Sequence, residues 1–189
     1  MRSLRAFSLI ELLVVIAIIA VLSVFTLVAV GSVGSAANLS RAGQTFGDMV
    51  ALARQEASTR NRDVHVRLIE LDPVGSLRAA QLWIAEESGT CRPHGQILKF
   101  PDGIILSSNS TLSPLISAES LLAGTDTFGG YGSRPYHAFR IRAGGKLLSS
   151  ISTNNFLTLQ VEGAPGVPPV NFYSLRVNPV TGRVTTHRP

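Results

Sequence analysis

The sequence contains little cysteine, since Cys91 is the single one among 189 residues. Because a disulfide needs two thiols, no intramolecular disulfide can form. A lone cysteine is either buried and inert or available for an intermolecular bond, and we expect Cys91 to be inert.

Motifs for metal binding and catalysis are also missing. Cys91 and His94 have CxxH spacing, but a structural zinc site needs about four ligands, and no second pair lies nearby. No aspartate-rich calcium loop is present. No histidines stand at ligand spacing, and we expect all of them at surface or edge positions (His65, His94, His137 and His187). Since no Ser-His-Asp, Cys-His or paired-carboxylate arrangement is recognisable, the sequence predicts no metal site, no cofactor and no enzymatic activity.

Other residues that draw attention have structural interpretations. Asp102 and Asp126 stand in turn sequences, where aspartate forms local hydrogen bonds. Trp83 and Tyr136 fit core or sheet-face positions better than a ligand platform.

Charged residues are scarce, at 15% of the chain, and the formal net charge is +5. Arg2 and Arg5 supply two of these charges, so the excess carried by the remainder is mild. A mild excess fits an ordinary soluble basic surface and does not predict nucleic-acid binding.

A long apolar run follows the two N-terminal arginines. No charged residue occurs from Leu12 to Ser40, and the segment Leu12 to Val30 is nearly all Leu, Val, Ile and Ala. This exceeds the ~18 to 20 residues that cross a bilayer as a helix, so a transmembrane helix is predicted over 7–30. The positive-inside rule places its N-terminus in the cytoplasm and the remainder of the chain outside.

The helical pattern continues beyond the apolar run, over 31–60. Apolar residues recur at steps of three, four or seven and form one stripe (Leu39, Phe46, Val50, Ala53 and Ala57). Such a stripe has to pack on something, and a sheet is the natural partner. Glycines in this stretch permit bending or the close approach of a neighbouring helix (Gly31, Gly34, Gly43 and Gly47). The helix is predicted to end near Ser58 to Asn61.

From residue 61 onward the apolar pattern changes to a period of two, which predicts a β-rich domain over 61–189. Predicted strands are 64–68, 77–87, 96–100, 103–108, 136–143, 146–150 and 156–163, with a closing hairpin of 171–177 and 183–187. Between them the sequence predicts a short helix at 113–124, capped by Ser113 with Pro114 at its first position, and a surface loop at 124–135.

The N-terminal segment allows several interpretations. Gly34-Ser35-Ala36 would serve as a signal-peptidase site, but the apolar run is too long for a usual secretory signal. A plain membrane anchor leaves Glu11 unexplained unless its carboxylate reaches the interface. Nothing downstream supports a transmembrane enzyme subunit.

The stretch RAFSLIELLVVIAIIAVLS, residues 5–23, resembles the class III signal of type IV pilins and type II secretion pseudopilins. The resemblance implies a leader peptide of residues 1–6, a prepilin peptidase that cuts between Ala6 and Phe7, and N-methylation of Phe7. Glu11 then takes the glutamate position of the family, the fifth of the mature chain. The family prefers Gly before the cut, so Ala6 is a departure, and we expect less efficient cleavage there.

A second segment narrows the resemblance to the GspH/FimT group of minor pseudopilins and minor pilins. It joins helix to first strand, and its matching features are Ala53-Arg54, Glu56-Ala57, Arg60-Asn61 and Val64-His65-Val66. The closing NPVTGRV also looks like the final hairpin of that group, whereas residues 75–170 match loosely. A further resemblance is to the PulG-like group called Verru_Chthon cassette protein D.

The position of Glu11 has a physical interpretation within a filament. A carboxylate among packed apolar helices needs a partner, because an isolated ion in a low dielectric is heavily penalised. The amine that cleavage frees on Phe7 of an adjacent subunit can supply it. Glu11 would then favour one axial register of assembly over others.

The C-terminal hairpin raises the alternative of DNA binding. DNA-binding minor pilins of the FimT type carry a basic GRxR pattern. Here Gly182-Arg183 is followed by Thr185, so the pattern is incomplete. Arg176, Arg183 and Arg188 could form a small patch for weak, salt-sensitive anion or DNA contacts. A solvated hairpin explains the same residues.

The sequence therefore predicts an α+β, pilin-like fold: a long N-terminal helix, transmembrane in its first half, packed on an antiparallel β-sheet domain. The predicted function is that of a minor pseudopilin or minor pilin assembled into a type II secretion pseudopilus or type IV pilus. Its implied partners are the prepilin peptidase, other pilin-like subunits and the inner membrane, with the C-terminal domain in the periplasm. The alternative is a membrane-anchored or filament-tip module that binds DNA or a surface polymer.

Overall fold

The computed structural model describes residues 8–72, 75–117, 122–148 and 154–189, with the side chains of 23–33 left out. The chain forms two compact units, Met1–Ala37 and Asn38–Pro189, and we call the second unit the head. Helix α1 spans Leu9–Arg60 and contributes to both units. It ends where the sequence predicts, and Asn61 follows with a left-handed φ of 50°.

In the first unit, the described side chains of α1 are mostly apolar and exposed. Leu9 is 82% exposed and Ile19 is 57% exposed. Among the described residues, no helix combines the length and the apolar character that crossing a membrane requires.

The head contains a sheet that has ten strands among the described residues, and the neighbouring strands there pair antiparallel. The strands are β1 Val64–Glu70, β2 Leu77–Ala85, β3 Cys91–Lys99, β4 Ile104–Leu106, β5 Leu122–Phe128, β6 Gly132–Ile141, β7 Leu147–Leu148, β8 Phe156–Val161, β9 Phe172–Val177 and β10 Val184–His187. Their spatial order is β10-β9-β8-β4-β2-β1-β6-β5, while β3 also pairs with β2 and β7 with β6.

The main core lies between the second part of α1 and one face of this sheet. The predicted apolar stripe of α1 is fully buried there, at 0% exposure for each member (Leu39, Phe46, Val50, Ala53 and Ala57). Alternate residues of β1, such as Val64, Val66 and Leu68, meet it from the sheet. Phe46 packs edge to face on Phe100, with ring centroids 5.7 Å apart. The predicted packing of helix on sheet is therefore confirmed.

One glycine of α1 lets the helix lie directly against a strand. A Cβ atom built on Gly43 would stand 2.3 Å from Cδ1 of Tyr173 in β9, far inside contact distance. The sequence led us to expect a neighbouring helix close to the glycines of α1. At Gly43 the close neighbour is instead Tyr173 of a strand.

Two predictions for the middle of the chain are wrong. The helix expected over 113–124 is reduced to a short 3-10 helix, Pro114–Ile116, and residues 118–121 of that stretch lie outside the described residues. The loop expected over 124–135 is instead a hairpin of β5 and β6. Its Gly, Asp and Pro residues have weak strand preference, but the antiparallel pairing of β5 with β6 and the burial of Phe128 override that preference.

We predict that Gly43→Ala destabilises the head, because the added methyl group has to displace the buried ring of Tyr173. The free energy of unfolding should fall by about 1–3 kcal/mol, as for other overpacked cores. Denaturant unfolding of the full chain in neutral detergent, followed by Trp83 fluorescence, measures it. The matched control is Gly34→Ala, where no atom lies within 4 Å and stability should not fall. Equal stability of the two variants would contradict the packing described.

Candidate functional site

The N-terminus of α1 is closed by a reciprocal pair of hydrogen bonds. The backbone N–H of Ser8 donates to Oε2 of Glu11 at 3.2 Å, and the backbone N–H of Ile10 donates to Oγ of Ser8 at 3.3 Å. This arrangement is a variant of the capping box, in which Ser8 accepts from the second helical residue and Glu11, the third, accepts from Ser8, so that two amides that the helix leaves free are satisfied. The pattern Ser-x-x-Glu signals it in the sequence, so this role of Glu11 could have been predicted.

The junction between Ala6 and Phe7 lies outside the described residues, as does the predicted leader 1–6. Cleavage there and methylation of Phe7 therefore stay predictions. Glu11 accepts a hydrogen bond from the backbone N–H of Ser8. Because Ser8 follows Phe7 directly, cleavage would create the new amine of Phe7 one residue before this N–H. The carboxylate of Glu11 is exposed and held at the start of the helix.

On the sheet face turned away from α1, a buried arginine organises a second, smaller core. The guanidinium carbon of Arg67 lies 3.7 Å from the ring centroid of Trp83 and 4.2 Å from that of Tyr136. Its Nη1 donates to Oδ2 of Asp126 at 2.6 Å. Phe128 packs on both aromatic rings from the β5–β6 hairpin. The sheet-face interpretation of Trp83 and Tyr136 is confirmed. The turn assigned to Asp126 is wrong, since Asp126 lies in β5 opposite Arg134 of β6, and its carboxylate forms an ion pair with Arg67 of β1.

Neighbouring groups stabilise the ionised form of the Asp126 carboxyl group despite its partial burial. Burial acts to raise its pKa, but hydrogen bonds from Arg67 and from the N–H of Thr127 outweigh this and leave the pKa below its ordinary value. The ion pair fixes β5 and β6 onto β1 and is a structural element of the head.

Cys91 and His65 meet on the same outer face, with Sγ and Nδ1 3.7 Å apart. Burial, and then the charges of Arg140 and Arg67, lower the pKa of His65 to about 4. The imidazole is therefore neutral near pH 7. His65 is half-buried inside a paired strand, which corrects its expected surface position.

No metal site is formed from these residues. Nε2 of His94 lies 3.7 Å from Oε2 of Glu56, and Nε2 of His137 lies 3.2 Å from Oε1 of Glu70. Within 8–72, 75–117, 122–148 and 154–189, no group of three potential metal ligands comes together.

The closing hairpin is confirmed as β9 and β10, and it carries the three arginines of the predicted anion patch on or beside its strands. Arg176, Arg183 and Arg188 are all exposed. Arg176 lies opposite Thr185 and, with His187, lines a shallow cavity of about 360 Å³ that Arg183 and Arg188 do not line. The three arginines do not share the lining of this cavity, and the anion patch stays a prediction.

Known proteins resemble this chain in its N-terminal segment and in its fold. Residues 1–27 match the family model described as the prokaryotic N-terminal methylation motif. The fold resembles the structure of the minor pseudopilin EpsH from the type 2 secretion system of Vibrio cholerae, with a TM-score of 0.50 and 13% identity over 80% of this chain and 98% of that chain. A second crystal structure of EpsH gives a TM-score of 0.49 and 13% identity, over 80% of this chain and 94% of that one. No curated protein matches the sequence.

The motif and the fold together confirm the resemblance to type IV pilin-like proteins. The chain has an N-terminal methylation motif at its start and the fold of a minor pseudopilin, with a helix packed on an antiparallel sheet. Both matches are to features of pilin-like structural subunits, in agreement with the prediction that this chain is not an enzyme.

We predict that His65 makes the head less stable as the pH falls. Since the folded-state pKa of about 4 lies below the ordinary histidine value of 6.5, the unfolded chain binds more protons between these pH values, and stability decreases there with falling pH. Between about pH 7 and about pH 5 the loss attributable to His65 should be about 1–2 kcal/mol. Denaturant unfolding at both pH values measures it.

The variant His65→Gln should show a smaller loss than the wild type over this interval. His187→Gln removes a histidine from an exposed position on β10 and serves as the control. If His65→Gln and the wild type lose the same stability, the buried neutral imidazole does not have the role described.

Proposed function

We propose that this chain is a minor pseudopilin or minor pilin, which is processed by a prepilin peptidase and assembled into a type II secretion pseudopilus or a type IV pilus. The observation that carries the proposal is the combination of the N-terminal methylation motif with a minor-pseudopilin fold in one chain. Each alone is less specific, because the motif covers only residues 1–27 and the fold match has low sequence identity.

In this proposal the prepilin peptidase cuts between Ala6 and Phe7 and methylates the new terminus. The match to the methylation motif spans this junction, and the small side chain of Ala6 is compatible with it. Arg2 and Arg5 of the leader keep the N-terminus in the cytoplasm until the cut.

The apolar first part of α1 anchors the subunit in the inner membrane before assembly. Its described side chains, from Leu9 to Leu22, find no cover within the structure, and lipid or neighbouring helices remove them from water. The head then lies on the periplasmic side, and extraction into the filament exchanges lipid contacts for helix contacts.

Glu11 changes partners during this exchange. In the single chain its carboxylate accepts a hydrogen bond from the N–H of Ser8. In the filament it pairs with the charged amine of Phe7 on an adjacent subunit, an interaction strengthened where apolar helices exclude water. The charge of Glu11 thus sets the axial position of the incoming subunit.

The alternative of a DNA- or polymer-binding module receives no comparable support. The arginines proposed for it, Arg176, Arg183 and Arg188, do not line one cavity, and neither the motif nor the fold match points to such a ligand.

We predict that Glu11→Ala and Glu11→Gln leave leader cleavage intact but abolish most incorporation into filaments. Glutamine keeps a side-chain oxygen that accepts a hydrogen bond from the N–H of Ser8, because Gln as well as Glu occurs at this position of a capping box. It lacks the negative charge of Glu11. Incorporation is measured by co-purification of the tagged chain with sheared filaments from cells that express the secretion or pilus machine.

The pair of variants separates the two roles of Glu11. If Glu11→Gln assembles as the wild type and only Glu11→Ala fails, helix capping explains the residue and the charge-pairing mechanism is wrong. Normal assembly of both variants would remove Glu11 from the assembly mechanism altogether.

A further inference from the structure

The connection between β8 and β9 exposes apolar side chains to solvent. Its residues 164–170 read APGVPPV, and we call them the valine loop. Val167 is 63% exposed and Val170 is 93% exposed, and no charged residue occurs over 163–175. Among the described residues outside α1, the other large apolar side chain that is exposed is Val180, in the turn between β9 and β10.

Backbone contacts hold the valine loop in a defined conformation. The N–H of Ala164 donates to the carbonyl of Val161 at 3.2 Å. Gly166 forms a β-bridge with Pro169, whose side chain is buried. The φ of Gly166 is 94°, a backbone conformation that favours glycine. The base of the loop is therefore packed on the head, while its exposed valines stand outward in an ordered turn.

The valine loop lies at the end of the head where the head begins in sequence. A Cβ atom built on Gly43 would meet the ring of Tyr173, near the start of β9. Further along α1, Nε of Arg54 donates to the carbonyl of Thr181, in the turn that follows β9. β9 thus runs along α1 in the same direction. The loop, which precedes β9, accordingly lies toward Asn38, the first residue of the head.

A short stretch of chain connects this end of the head to the predicted transmembrane segment. That segment is predicted to end at residue 30 and the head begins at Asn38, so residues 31–37, seven in number, connect them. Seven residues reach at most ~25 Å when fully extended and rise about 10 Å as a helix. Once the segment is anchored in lipid, the end of the head that carries the valine loop is held close to the membrane surface.

Charged groups at this end of the head do not oppose contact with a lipid surface. The carboxylate of Glu162, just before the loop, pairs with Arg78. Oδ1 of Asp102, in the turn between β3 and β4, lies 3.1 Å from Nζ of Lys99. Arg41 of α1 is exposed at the same end, and a cation near a membrane surface is attracted to anionic lipid headgroups.

We propose that the valine loop inserts into the interface of the membrane that anchors the subunit, so that Val167 and Val170 contact lipid chains. This inference rests on the proposed function, which supplies the membrane and the anchor. Two valines bind a bilayer weakly by themselves, but the anchor makes the contact intramolecular and raises its effective concentration. The contact keeps one end of the head at the membrane and is weak enough to release the subunit for assembly.

The chemistry of the loop favours lipid over a neighbouring subunit. None of the seven side chains over 164–170 can donate or accept a hydrogen bond. Interfaces between proteins carry about one hydrogen bond per 100–200 Å², which fixes the orientation of the partners. A bilayer interface requires only apolar surface, which the loop provides.

The test places a fluorescent label on the loop of the full chain, reconstituted into nanodiscs of phosphatidylcholine and phosphatidylglycerol. In a Cys91→Ser background, Val170→Cys is labelled with an NBD dye, whose emission reports the polarity around it. We expect a shift to shorter wavelength and a loss of intensity when the discs contain a lipid with a nitroxide near the headgroup end of its acyl chain. Val167→Ser in the same chain should reduce this quenching, because it removes neighbouring apolar surface.

The matched control is Val180→Cys, labelled in the same Cys91→Ser background. Val180 is also an exposed valine, but it lies in the turn next to Arg54, toward the other end of the head helix. Its label should remain in water and keep its emission in the nitroxide discs.

Two results would overturn the proposal: no quenching of the label at Val170, or equal quenching at Val170 and Val180. A label at Val170 that is shielded in sheared filaments but not in nanodiscs would assign the loop to a neighbouring subunit instead. Co-elution of the chain with the discs tests the anchor separately. A chain that stays outside the discs contradicts the anchor of the proposed function and this proposal with it, whereas an anchored chain with an unquenched label contradicts this proposal alone.

Discussion

The burial of one face of α1 against the sheet is the interaction on which the head depends. Large side chains of the stripe, such as Leu39, Phe46 and Val50, are completely removed from water, and each contributes about 1.5–3 kcal/mol relative to exposure. Polar contacts then fix the helix along the sheet, since Nε of Arg54 donates to the carbonyl of Thr181 at 2.6 Å. The apolar contacts and this hydrogen bond together fix the second part of α1 on the sheet. The hydrogen bond also links α1 to the turn between β9 and β10.

The same helix is apolar in its first part. The large side chains from Leu9 to Leu22 are between 47% and 82% exposed. Such a surface is unfavourable in water and is covered either by lipid or by other helices. This physical demand joins the two stages of the proposed function, because a membrane satisfies it before assembly and a bundle of subunit helices satisfies it afterward.

Local patterns were enough to predict α1, its buried stripe, β1 and the closing hairpin, since their periodicity and turn residues lie within a few positions. The β5–β6 hairpin could not be predicted in this way. Its strands are stabilised by the ion pair of Asp126 with Arg67, 59 positions away, and by the packing of Phe128 on Trp83. Contacts between residues so far apart in the sequence leave no local pattern from which they could be predicted. The grouping of Arg92 with Arg60 and Arg62 at the end of α1 was missed for the same reason, because the β2–β3 hairpin brings Arg92 there.

Leader processing is tested most directly by the intact mass and N-terminal sequence of the chain isolated from membranes of cells with a prepilin peptidase. We expect a chain that lacks Met1–Ala6 and begins with N-methylated Phe7. A chain that retains Met1, or one that begins at Ala37 after an ordinary signal-peptidase cut, would contradict it.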